Sequence, residues 1–192
     1  MQKEVLVFIS DGYADWESAY ICAELNKPGT GFTVKTLALD KSPKRSMGGF
    51  TVLPDYSVED CPQDFRLLIL VGGTSWLGNA NGAILPVLDR CRERKIPIAA
   101  ICDACTFLAA HGFLDDQAHT GNSLAYIREH APSYRGAAYF EERQAVAADG
   151  LITANGTSAV EFAREILRRL GVMDEAQLET WYRMFKIGYY EM

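Results

Sequence analysis

The sequence predicts a single α/β domain, with a mainly parallel sheet and helices on both of its faces. Three observations carry this: short runs that are apolar throughout, helical segments alternating with them, and turn residues where the runs stop. A strand covered on both faces has no polar side, so it shows as a continuous apolar run. At 192 residues, 48% of them hydrophobic, the chain can fill one substantial core.

Val5–Ile9 is the first such run and stops at Ser10-Asp11-Gly12. Trp16–Leu25 follows as a helix with Asp15 as its expected N-cap, and Lys27-Pro28-Gly29-Thr30-Gly31 ends it. Phe32–Leu39 is a second strand, and Lys41–Thr51, with Gly48-Gly49, a hairpin or pair of short edge strands. Leu67–Val71, ending in Gly72-Gly73, and Ile96–Ile101, ending at Cys102, are two further core strands. Between them Ala83–Arg94 has helical apolar spacing at Ile84, Leu85, Leu88 and Cys91. Asp103–His111 is a helix closed by Gly112. Ala118–Thr120 is a short strand and Ser123–His130 a helix. Gln144–Ala148 and Leu151–Ala154 flank Asp149-Gly150, a two-residue hairpin signal. Thr157–Leu170 is amphipathic, and Asp174–Phe185 is a last helix with Trp181, Met184 and Phe185 on its apolar side. Residues 1–171 form the domain, and 172–192 a helical extension packed on it.

A net charge of −6 points away from nucleic acid and from anionic membrane surfaces. No apolar run approaches the roughly 20 residues that span a bilayer, and the apolar stretch in MQKEVLVFIS is too short for a signal peptide. A cytoplasmic location is expected. Cys22, Cys61, Cys91, Cys102 and Cys105 make an odd number without an export signal, so a disulfide framework is not expected. No Cys/His cluster has zinc-finger spacing, and no glycine pattern marks a nucleotide site. No metal or cofactor is expected.

Three strand ends carry chemistry. In a parallel sheet they converge, because sites form beyond the carboxyl ends of the strands. Cys102 sits between an apolar strand and a helix, where the positive end of the helix dipole favours thiolate over thiol. Ala99, Ala100 and Ala104 leave room for a sharp bend. The plain alternative is a buried core cysteine. Gly72-Gly73 lets backbone N–H groups turn towards an oxyanion, or merely ends a strand. Glu17, in the first helical turn beside Trp16, is either a desolvated, protonated carboxyl or a solvated residue serving the helix dipole.

The segments "DGYADWE", "LLILVGG", "IAAICDAC" and "LITANGTSAVEFAREIL", in that order, resemble the ThiJ/PfpI superfamily of glutamine-amidotransferase-like proteins. The resemblance covers roughly Val5 to Leu170. It implies a flavodoxin-like three-layer sandwich with Cys102 as nucleophile on a strand-to-helix elbow. It also implies Glu17 as the carboxyl that hydrogen-bonds this cysteine, and the N–H groups of Gly73 and Asp103 as the oxyanion hole. Gly72, Asn155 and Gly156 fall at the site rim.

Two departures from the family pattern matter. Many members place a histidine directly after the nucleophile, where this chain has Asp103. Others carry one on the following strand, where Gly121 falls. His119 lies two residues earlier, on the same face if the segment is a strand, and is the displaced candidate base. The plain alternative is a histidine that serves packing or the surface. His111 serves a helix end and His130 the surface. Cys102 and Cys105 also form C-x-x-C, which is either a redox pair or a nucleophile with an inward-facing neighbour.

Two functions are expected from this constellation. One is a cysteine-dependent hydrolase, amidase or glyoxalase-like enzyme acting on a small carbonyl or amide compound. The other is a redox-sensing stress protein, since an activated thiolate oxidises readily. The partner is accordingly a small-molecule substrate or an oxidant. A homodimer is a candidate assembly: family members are often dimers, and the aromatics of Trp181–Tyr190 either cover an interface or cap the core.

Overall fold

The computed structural model describes residues 3–191. The strands are β1 (Lys3–Phe8), β2 (Phe32–Ala38), β3 (Lys44–Arg45), β4 (Thr51–Val52), β5 (Tyr56–Ser57), β6 (Leu68–Leu70), β7 (Ile98–Ile101), β8 (Ala145–Ala148) and β9 (Leu151–Ala154). The α-helices are α1 (Asp15–Leu25), α2 (Leu85–Arg94), α3 (Asp103–Ala110), α4 (Leu124–His130), α5 (Ala159–Leu170) and α6 (Glu175–Lys186). Seven strands form one sheet in the order β5-β2-β1-β6-β7-β9-β8. Only β8 runs antiparallel to its neighbour, and β3 and β4 make a separate hairpin. The order reverses at β1 and β6, the topological switch point at which α/β sheets open a crevice.

Alternation along β1 shows why both faces need helices. Leu6 and Phe8 join Leu68, Leu70, Ile98 and Ala100 in a core with Leu88, Phe107, Leu108 and Ile127, which come from α2, α3 and α4. Val5 and Val7 join Ile69, Ala99 and Ile101 on the other face, against Ile21 of α1 and Phe162 and Ile166 of α5. Helix α6 belongs to this second layer. It starts with a capping box between Asp174 and Gln177, and it buries Leu178 and Trp181. The Trp181 ring lies 5.1 Å from Phe185 and 6.4 Å, edge-on, from Tyr20 of α1. Phe185 itself remains partly exposed.

Some elements differ from the sequence expectations. Ala118–Thr120 is not a sheet strand. It passes with one isolated bridge, His119 to Phe140, because β8 already occupies the edge beside β9. Thr120 instead ties the segment to the sheet sideways, its N–H donating to Thr153 Oγ1 at 2.8 Å. Asp15 does not cap α1. It is the first helical residue, and its carboxylate accepts the Gly48 N–H of the β3–β4 hairpin at 2.6 Å. The short β5 at the far edge has no apolar run to announce it.

Trp181 joins α6 to the α1–α5 layer, so Trp181→Ala is expected to cost about 3–5 kcal/mol of unfolding free energy. Denaturant titration checks this.

Candidate active site

Cys102 follows the last residue of β7 and precedes the first of α3. Its backbone lies at φ 61° and ψ −130°, a left-handed conformation that side-chain-bearing residues rarely adopt. Its N–H is anchored to Ala154 O at 3.0 Å, so the β7–β9 pairing holds the bend. This turns the half-buried thiol out over the carboxyl ends of the strands. The Asp103 N–H, the first of α3, donates to the sulfur.

Two glycines make the space. A Cβ on Gly72 would fall 2.5 Å from Cys102 Cβ and 2.6 Å from Glu17 Oε2. A Cβ on Gly156 would fall 2.9 Å from the sulfur. Gly73, at φ 149°, forms an antiparallel bridge with Tyr13. The bonds flanking that bridge run from Ala14 N to Gly72 O and from Thr74 N to Gly12 O, and neither uses the Gly73 N–H.

Glu17 is 1% exposed. Its Oε2 accepts the Gly72 N–H at 2.7 Å, and the carboxyl also interacts with the Cys102 thiol. Oε1 is buried with no other partner. Burial, first of all, pushes the Glu17 pKa up to about 7, against the pull of the Gly72 N–H and of Cys102. Burial and the Glu17 charge push the Cys102 thiol up to about 12, although Asn122 and the Asp103 N–H favour the thiolate. The helix N-terminus alone predicts a fall, so this expectation is reversed. The physical reason is burial of the thiol, to which the neighbouring Glu17 charge adds. The two groups titrate as one system. The pair sheds its first proton at about 7 and keeps the second far longer. The proton that leaves first is that of Glu17, and the sulfur keeps its own.

His119 is not placed to serve as the base. It is fully buried, its Nε2 bonds Tyr134 Oη at 2.6 Å, and its Nδ1 meets Gln117 O at 2.8 Å. Both ring nitrogens are thus committed away from the sulfur. The side of Gly121 that would carry a Cβ faces Ile127 and Cys105 instead. Asn155 also lacks contact with the sulfur. It organises the turn into α5, accepting from Thr157 and Ser158 and donating to Gln144 at 2.9 Å. Cys105 is a free, fully buried thiol bonded to Ala100 O and Ala154 O at 3.3 and 3.5 Å, with no disulfide to Cys102.

The residue that sequence reasoning missed is Asn122. Its Nδ2 lies 3.5 Å from the Cys102 sulfur and 3.2 Å from Asp103 Oδ1, and its Oδ1 accepts the Gly156 N–H at 3.0 Å. It stands next to Gly121, the position singled out for its lost histidine. Trp16, half exposed, forms one wall and donates its indole N–H to Gly156 O at 3.3 Å.

The model of the DJ-1/PfpI family matches residues 3–169. The chain belongs to the DJ-1/PfpI family. A Bacillus subtilis relative named an uncharacterized protease, YdeA, is 38% identical over 98% of this chain and 93% of its own. A ThiJ/PfpI family protein from Bacillus anthracis superposes with a TM-score of 0.89 at 34% identity, covering 100% of this chain and 93% of that one. A DJ-1 superfamily protein from Agrobacterium tumefaciens gives 0.87 at 33% identity, over 97% and 98% of the two chains. The flavodoxin-like architecture is therefore that of the DJ-1/PfpI family. Among the described residues no helix is long and apolar enough to cross a membrane.

The raised Glu17 pKa has a measurable cost. The folded protein holds this proton more tightly than the unfolded chain, whose carboxyl titrates near 4.5. The native state therefore binds more protons in that window, and stability falls as pH rises from about 4.5 through about 7. Glu17→Gln keeps an acceptor for Gly72 but carries no charge. Wild type is expected to lose about 3 kcal/mol relative to this variant across the window. Denaturant unfolding of both proteins at a series of pH values checks it.

Proposed function

We propose that this protein is a cysteine-dependent enzyme acting on small carbonyl compounds through Cys102. The observation that carries the reading is the Glu17–Cys102 contact at the elbow: a half-buried sulfur facing the Asp103 N–H and Asn122 lies beside a carboxyl that titrates at about 7 and can take the thiol proton as the sulfur attacks. The sulfur adds to the electrophilic carbon, and an S–C bond forms as the C=O π bond opens. The electron pair moves to oxygen, and the Glu17 proton neutralises the resulting alkoxide. The Asp103 N–H, and the Gly73 N–H that its bridge leaves unused, are the donors assigned to the developing oxyanion.

Amide or peptide hydrolysis is less well supported, although one relative carries the word protease in its name. That chemistry needs a base to activate water and an acid for the leaving amine. Both nitrogens of His119 are engaged elsewhere. The same observation favours a second reading, redox sensing at Cys102, because oxidation of sulfur needs thiolate character and access but no base. Action in the cytoplasm and as a homodimer belongs to the same proposal.

Incubation with an α-oxoaldehyde tests the first reading. Consumption is expected to vanish in Cys102→Ser and to fall roughly 100-fold in Glu17→Ala, the scale of a lost proton donor. His119→Ala should retain the rate while costing about 1–3 kcal/mol of stability, through the polar partners it leaves unpaired. Unchanged consumption in Cys102→Ser would overturn the enzyme. Peroxide modification of Cys102 without aldehyde turnover would replace it with the sensor.

A further inference from the structure

We propose that Asn122 is the side-chain donor dedicated to the Cys102 sulfur, and that Asp103 and Gly156 lock its amide in that orientation. The inference rests on the reading of Cys102 as the reactive group and adds the residue that tunes it. An asparagine amide can be turned two ways, and its neighbours decide which. The Gly156 N–H can only donate, so the atom 3.0 Å from it is the amide oxygen. The Asp103 carboxylate can only accept, so the atom 3.2 Å from its Oδ1 is the amide nitrogen. That nitrogen is left 3.5 Å from the sulfur. A flip would set oxygen against carboxylate and N–H against N–H, so the lock holds from both ends.

The lock is itself supported. The Asp103 carboxyl is also bonded by the Tyr126 hydroxyl from α4. The Tyr126 ring packs on His130, with centroids 4.3 Å apart; burial raises the Asp103 pKa, and the bonds from Tyr126 and Asn122 oppose that rise. The titratable groups acting on Asp103 and its neighbour are thus Glu17, Cys102, Tyr126 and His130. Gly156 completes the arrangement, since a Cβ there would crowd the sulfur and lie 3.4 Å from Asn122 Oδ1.

An amide neither accepts nor releases a proton at physiological pH. Asn122 therefore stabilises charge on the sulfur without acting as a base. The Asp103 carboxylate, which holds the sulfur's donor, is a positioning group, distinct from the backbone N–H of the same residue.

Iodoacetamide alkylation of Cys102 in the intact protein, followed by peptide mass across pH, tests this together with thiolate ultraviolet absorbance. Hydrogen bonds to charged groups set the scale, and Asn122→Ala is expected to slow alkylation at neutral pH roughly tenfold to a hundredfold. The profile should move to higher pH. Asn122→Asp, of nearly the same shape, should move it further, because a carboxylate cannot donate and adds repulsion. The loss caused by Asn122→Ala should shrink in an Asp103→Ala background, where the lock is already gone. Folded Asn122→Ala and Asn122→Asp proteins with the wild-type profile would overturn the inference while leaving Cys102 reactive. A wild-type Cys102 that alkylates no faster than the other cysteines would overturn both this inference and the reading beneath it.

Discussion

The bond from the Gly72 N–H to the Glu17 carboxyl is the constraint around which the site is built. It joins the end of β6 to the first turn of α1, across the point where the strand order reverses. A carboxyl group 1% exposed would otherwise have no reason to stay under the elbow cysteine. Gly72 can make this bond only because it has no side chain, since a Cβ would collide with both Glu17 and Cys102. One glycine thus provides a donor and a void at once.

From that contact the chemistry follows by electrostatics. Burial in one half-closed pocket makes Glu17 and Cys102 each resist losing a proton, and the Glu17 charge adds to the resistance of the thiol. The pocket answers with neutral donors: the amides of Gly72 and Asp103 and the side chain of Asn122. Such donors stabilise whichever partner holds the charge without competing for the proton. A histidine would add a third titrating group. The buried His119 instead joins Gln117 and Tyr134 as a packing element.

Much of this was legible along the chain. Apolar runs of β1, β6 and β7 announce a two-faced sheet, and its parallel sense sends Glu17, Gly72-Gly73 and Cys102 to one rim. Those residues adjoin strand ends, where a break in the apolar pattern is visible locally. Asn122 has no such signal. It lies in a loop without periodicity, 20 residues from Cys102 and 34 from Gly156, and both separations close only in three dimensions. The expected strand at Ala118–Thr120 failed for a related reason. Alternation describes a segment's own faces, and it carries no information on whether the hairpin β8–β9 has already taken the edge.

The sequence by itself determined the layered α/β architecture and the strand-to-helix place of Cys102, because hydrophobic period and glycine placement are local properties; the contact of Glu17 with Cys102 was implied only by the family resemblance. Tertiary structure decided the balance of charge. Whether the thiol is lowered by its helix or raised by its enclosure depends on how deeply Glu17 is buried and on which amides face the sulfur. Those quantities arise from packing between elements distant along the chain, and a dielectric environment exists only once that packing is complete.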